Sequence, residues 1–142
     1  MSTYSVIGRP HPQVNIAEKV CGEARYVADV KLPGTLAAAV LRSPYPHARI
    51  VSINTDRARA LRGVKAVLTG ADVPNQQWGY HHKENFILAK EKVRYIGEEV
   101  AAVAADDQHI AQEAVSLIEV EYDELPAVFD PEEAIQPGAP VL

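Results

Sequence analysis

Two prolines one residue apart, Pro44 and Pro46, separate the apolar runs TLAAAVLR (35–42) and ARIVSINT (48–55). A proline lacks its backbone N–H and fixes its own φ, so no helix begun in the first run can continue past Arg42. The second run is rich in β-branched residues and alternates, with Ile50 and Ser52 on one expected face and Val51 and Ile53 on the other. The pair therefore reads as two strands joined by a stiff crossover. The Ala-rich first run would otherwise read equally well as helix. A chain of 142 residues organised around such a crossover fits one mixed α/β domain, and 47% hydrophobic residues suffice for a core, supplied mostly by Ala, Val, Leu and Ile.

Other elements follow from local signals. NIAEKVCG (15–22) reads as a short helix capped by Asn15 and ended by Gly22, after an extended arm over residues 1–13. EARYVADV (23–30) reads as strand or irregular chain, and KLPG (31–34) as a turn. The two principal helices are expected at 56–62, capped by Thr55, and at 107–118, capped by Asp106 or Asp107. On the second, Ile110, Ala114, Leu117 and Ile118 share a face with Ala111 and Val115 beside it. VKAVLTG (64–70) is expected as a buried strand, 87–106 as short strands broken at Gly97, EVEYDEL (119–125) as a strand, and DPEEAI (130–135) as a helix with Pro131 at its first position.

Composition excludes several functions. A formal charge of −5 with scattered Lys and Arg argues against nucleic-acid binding. No apolar run approaches the roughly 20 residues of a membrane helix. The N-terminus lacks a signal-peptide pattern, and Cys21 is the only cysteine, so a cytoplasmic protein without internal disulfide or iron–sulfur site is expected. Cys21 itself reads as a small buried hydrophobe.

Chemical motifs are sparse. No phosphate loop, dinucleotide fingerprint or HExxH is present. His81 and His82 would point to opposite faces of a strand, and no nearby carboxylate or Cys spacing supports a metal site. Ser43 and His47 could join Asp29 or Asp56 in a triad, but no nucleophile elbow surrounds Ser43, and a serine that bonds turn backbone is the simpler reading. Glu98 and Glu99 read as solvated acids, and Glu132 and Glu133 as first-turn charges that favour their helix dipole. Gly97 reads as a bulge or a close backbone approach. No residue is assigned a catalytic role, and no metal ligand is assigned.

Five motifs in order change the reading: GEARYVADVKLPGTL (22–36), LRSPYPHARI (41–50), GVKAVLTGADVP (63–74), KVRYIGEEVAAVAAD (92–106) and VEYDELPAVFDPEEAI (120–135). Together they resemble the α/β hammerhead domain at the start of the molybdenum-binding subunit in the xanthine dehydrogenase and aldehyde oxidase family, which includes carbon monoxide dehydrogenase and 4-hydroxybenzoyl-CoA reductase. The resemblance implies an α/β hammerhead with a mixed sheet and two main helices over residues 1–142. It also implies a role in a molybdenum hydroxylase, in which oxygen from water enters a C–H bond and electrons leave through iron–sulfur centres.

In the family the molybdopterin cofactor and the catalytic glutamate belong to later domains, towards which the tail at 136–142 would lead. This chain alone should then bind no cofactor and turn nothing over. Its implied partners are the remaining molybdopterin-binding domains or subunit, an iron–sulfur subunit, and a FAD subunit where flavin accepts the electrons. The alternative is a stand-alone interaction module. The loop NQQWGYHHKENF (75–86) matches one that lines the family's substrate funnel, which makes Trp78, Tyr80, His81, His82 and Phe86 substrate-facing candidates; the other reading is a loop covering a partner domain. Arg42, Ser43, His47 and Gly97 are implied to be structural or interface residues. Arg42 would reach a carboxylate or carbonyl, and Gly97 would mark an internal bulge or the approach of an iron–sulfur domain.

Overall fold

The crossover at Pro44 and Pro46 does separate two strands, β1 (Ala37–Arg42) and β2 (Ala48–Asn54), but it sends them into different sheets. This is seen in a computed structural model that describes residues 6–79, 83 and 85–142. The chain divides into two compact units, Met1–Thr35 and Leu36–Leu142.

In the first unit, α1 (Ile16–Val20) is a single short helix, and Val27–Asp29 forms a 3-10 turn where strand or irregular chain was expected. Neither contains a buried residue. Asn15 precedes α1 in the left-handed conformation (φ 64°) and makes no side-chain cap bond, so its role is to turn the backbone, not to cap it. The 3-10 turn is held by Asp29, whose Oδ2 accepts the Tyr26 N–H at 2.9 Å. Cys21 is exposed, contrary to the buried position expected of it.

The second unit holds two three-stranded antiparallel sheets. β5 (Glu99–Ala105) lies between β1 and β3 (Val64–Thr69), while β2 lies between β4 (Lys92–Val93) and β6 (Glu119–Glu124). Every pair is antiparallel, so the single mixed sheet expected from the sequence is replaced by two. β3 is an edge strand with only Val67 buried, which corrects the buried strand expected there.

The helices are shorter than expected. α2 is Asp56–Ala60, α3 is Gln108–Ser116 and α4 is Pro131–Ala134. Thr55 makes no cap bond to α2; Asn54 Oδ1 instead accepts the Asp56 N–H at 3.0 Å. Asp107 caps α3 by accepting the Ile110 N–H at 2.9 Å, and Asp130 caps α4 by accepting from Glu132 at 2.7 Å.

Two apolar clusters lie on either side of β5. Ala101 and Val103 join Val67, Ala58 of α2, and Ala114 and Ile118 at α3, whereas Val100 joins Ala48, Ala89 and Val93. Ile53 and Val120 pack against both clusters. The alternation expected of β2 fails at one point. A register shift between Ile50 and Ser52 moves the phase by one residue, so Ile50 and Ile53 both turn inward while Val51 is exposed. Val51 had been placed with Ile53. Gly70 explains how the chain leaves β3. A Cβ there would stand 2.8 Å from Lys90 Cα and closer still to the Ala89 carbonyl oxygen.

Candidate functional site

Trp78 and Asn85 close the base of the aromatic loop. The Trp78 N–H donates to Asn85 O at 2.9 Å, and the Asn85 N–H returns a bond to Trp78 O at 3.0 Å. Trp78 is 59% exposed. Tyr80, His81 and His82 lie outside the described residues, and so do the funnel and metal readings attached to them. Phe86 is half-buried beneath Arg94, whose guanidinium carbon lies 5.0 Å from the ring centroid. Beside the loop a cavity of about 310 Å³ is lined by Asn75, Gln77, Phe86, Lys90, Lys92 and Arg94.

Arg94 is fixed by Glu98. One Glu98 oxygen accepts from the guanidinium, including Nε at 3.1 Å, and the other accepts the Arg94 backbone N–H. Glu98 is 3% exposed, so the expectation of a solvated acid is corrected: its charge is buried against a cation. Nothing in the sequence signals this pair except the four-residue spacing, which a turn brings together, not a helix.

That turn is tied to the proline crossover. Gly97 has φ +92°, its N–H donates to Ser43 O at 2.8 Å, and the Ser43 N–H donates to Glu98 O at 2.9 Å. Arg42 Nη1 reaches Gly97 O at 2.8 Å and Glu99 Oε1 at 2.6 Å. Glycine is required at 97 for its backbone angle; a Cβ there would meet nothing within 4 Å. The bulge in this region falls on β5, where Arg42 pairs with Glu99 and Leu41 with Ala101, passing over Val100.

The Ser43 hydroxyl donates to Tyr45 O and accepts the Tyr45 N–H, both at 3.0 Å, which is a local turn closure. His47 Nδ1 bonds Pro126 O at 2.8 Å; a carbonyl only accepts, so the proton is on Nδ1. Ser43 and His47 are thus each committed elsewhere and form no nucleophile–base pair. Burial raises the Tyr122 phenol above its ordinary value; its ring lies 5.1 Å from that of Tyr45. Burial, then the charges of Glu99 and Glu98, raise Tyr95 in the same way. Asp72 is held below the usual carboxylate value by the Thr69 N–H and hydroxyl.

Among the described residues no group of three or more His, Cys, Asp or Glu converges, and Arg94, over the Phe86 ring, is already engaged by Glu98. Trp78 and Phe86 can pack against a ring, and Asn75 and Gln77 can hydrogen-bond a neighbouring group.

Residues 21–126 match the family model described as "Aldehyde oxidase and xanthine dehydrogenase, a/b hammerhead domain". The chain belongs to the aldehyde oxidase and xanthine dehydrogenase family. It is 46% identical over 122 residues to a probable xanthine dehydrogenase subunit of Bacillus subtilis, a match covering 85% of this chain and 16% of that protein. It is 40% identical over 140 residues to the nicotinate dehydrogenase large molybdopterin subunit of Eubacterium barkeri, covering 98% of this chain and 33% of that one. Among solved structures, carbon monoxide dehydrogenase from Oligotropha carboxidovorans superposes with a TM-score of 0.85 at 40% identity, covering 95% of this chain and 17% of the other. The α/β hammerhead fold is therefore established for this member of the family. The chain spans between a sixth and a third of the length of these relatives. The alternative of a stand-alone interaction module is not supported, since these matches are to oxidoreductases. Among the described residues no helix is long and apolar enough to cross a membrane.

Proposed function

We propose that this chain is the hammerhead portion of the large subunit of a molybdenum-dependent hydroxylase, where it braces that subunit and forms one wall of the passage leading substrate to the metal. Molybdopterin, held by the remaining polypeptide, would supply oxygen transfer to a C–H bond and release electrons to iron–sulfur clusters and, where present, FAD. The chain's own residues position and recognise. Trp78 and Phe86 offer rings to a planar heteroaromatic substrate, Asn75 and Gln77 offer amides, and Tyr80, His81 and His82 complete the proposed wall. Arg42, Ser43, His47 and Gly97 hold the crossover that supports it. The proposed partners are the remaining molybdopterin-binding polypeptide, an iron–sulfur subunit and a FAD subunit, and the proposed compartment is the cytoplasm.

One observation carries this reading: an exposed tryptophan on a loop closed at its base, beside a phenylalanine fixed by a buried ion pair. The heterocyclic substrate named for the nicotinate dehydrogenase relative supports the substrate class. The test uses Trp78→Ala and Phe86→Ala in the assembled enzyme. Each ring contact is worth about 0.5–1.5 kcal/mol, so KM for a heteroaromatic substrate should rise roughly two- to tenfold with molybdenum content and kcat unchanged. Unchanged KM with lost molybdenum or iron would show that the loop covers a partner instead.

A further inference from the structure

The His47 ring has one unused nitrogen. Its Nδ1–H is given to Pro126 O, so the neutral ring presents Nε2 as an acceptor, and Nε2 is buried with no partner among the described residues. A buried acceptor left unsatisfied carries a desolvation penalty, so such atoms in folded proteins are generally bonded to something. His47 is 5% exposed and lines a cavity of about 180 Å³ whose other walls include Pro46, Pro126, Val128, Phe129 and Ala134. The lining also includes Arg94, whose guanidinium is paired with Glu98; apart from it and the imidazole the lining residues are apolar, and Phe129 is 78% exposed. A cavity of about 150 Å³ holds a benzene-sized group, so this one accommodates a single large apolar side chain.

We propose that this cavity is a docking socket for the molybdopterin-binding polypeptide that makes up the rest of the relatives' large subunits, and that His47 Nε2 accepts a hydrogen bond from the segment seated there. This rests on the large-subunit reading above. The occupant follows from three observations. The relatives carry several times more polypeptide than this chain spans, so a large covering surface exists in their subunits. Most of the walls are apolar and the charge of Arg94 among them is already countered by Glu98, which suits an apolar side chain rather than a charged ligand. The socket is also held open by bonds within this unit, because besides the Nδ1 contact the Leu125 N–H donates to His47 O at 2.9 Å.

The test compares the free chain with the full-length Bacillus subtilis relative carrying this chain in place of its own matched segment. Both carry Cys21→Ser, and Ala134→Cys reports access to the socket. Maleimide should label Cys at 134 at least about tenfold more slowly in the chimera than in the free chain. His47→Asn keeps a donor for Pro126 O but has no acceptor at the Nε2 position. In the chimera it should restore labelling by roughly tenfold, the worth of one buried hydrogen bond. His47→Gln, whose amide reaches the Nε2 position, should keep the protection. Equal labelling in both forms of a chimera that retains molybdenum, or full protection in His47→Asn, overturns the socket and leaves the large-subunit reading standing. A chimera that folds but takes up no molybdenum overturns that reading, and the socket with it.

Discussion

Replacing Glu98 by Ala should be among the most damaging single substitutions in the second unit. The side chains of Glu98 and Arg94 are 4% and 16% exposed, so both charges of the pair are largely out of water. Removing one partner of a buried ion pair costs about 3–5 kcal/mol, because the other charge stays desolvated without its counter-ion. Arg94 keeps its contact with the Phe86 ring and some access to solvent, which places the expected loss near the lower end, about 3 kcal/mol. At about 4–8 °C per kcal/mol for a unit of roughly this size, the melting temperature should fall by roughly 12 °C or more.

Urea unfolding followed by far-ultraviolet circular dichroism measures the free-energy change, and Glu119→Ala serves as the control. Glu119 pairs with Arg57 at 3.1 Å with both side chains more than 60% exposed, so its loss should cost no more than about 1 kcal/mol. Salt separates the two. At roughly 0.5 M, where the screening length is only a few ångström, the Glu119 effect should fade and the Glu98 effect should persist. The double variant Arg94→Met, Glu98→Leu should recover much of the loss, since an apolar pair needs no counter-ion. If Glu98→Ala costs no more than Glu119→Ala, the pair is solvated in reality and the account of how Phe86 is fixed fails with it.

Three further outcomes are expected. Gly70→Ala should destabilise by about 1–3 kcal/mol or more in thermal or urea denaturation, because the new methyl group would collide with backbone at Ala89 and Lys90 and not with a movable side chain; a neutral variant would contradict that packing. Arg42→Ala should cost about 1 kcal/mol by the same assays and leave substrate discrimination unaltered in the assembled enzyme, since the Arg42 side chain is 56% exposed and its contacts with Gly97 and Glu99 are structural. The Tyr122 phenol has a folded-state pKa raised above its ordinary value near 10, so its contribution to stability is fully present below that value and is lost as pH rises through the raised one. Melting curves at increasing alkaline pH should therefore fall less steeply for Tyr122→Phe than for the parent, with Tyr95 contributing the same sign to both.

What the sequence determined by itself was local and periodic. Pro44 and Pro46 forbade a continuing helix, so β1 and β2 were legible on either side. Asp107 was legible as one of two candidate caps because a carboxylate facing free backbone N–H groups is a matter of a few neighbouring residues, whereas the cap that Asp130 makes went unread. The order of five motifs was enough to indicate the family. Contacts between residues far apart in the chain were not legible. Which sheet each strand joins, the shift that turns Ile53 inward beside Ile50, and the closeness of Gly70 to Ala89 all depend on where distant segments meet. The same holds for the candidate site. Trp78 and Phe86 stand out by composition, but the ion pair that fixes Phe86 and the unpartnered nitrogen of His47 exist only after folding has excluded water from them. Burial, which decides whether a charge is solvated or must be paired, is a property of the packed chain and not of its letters.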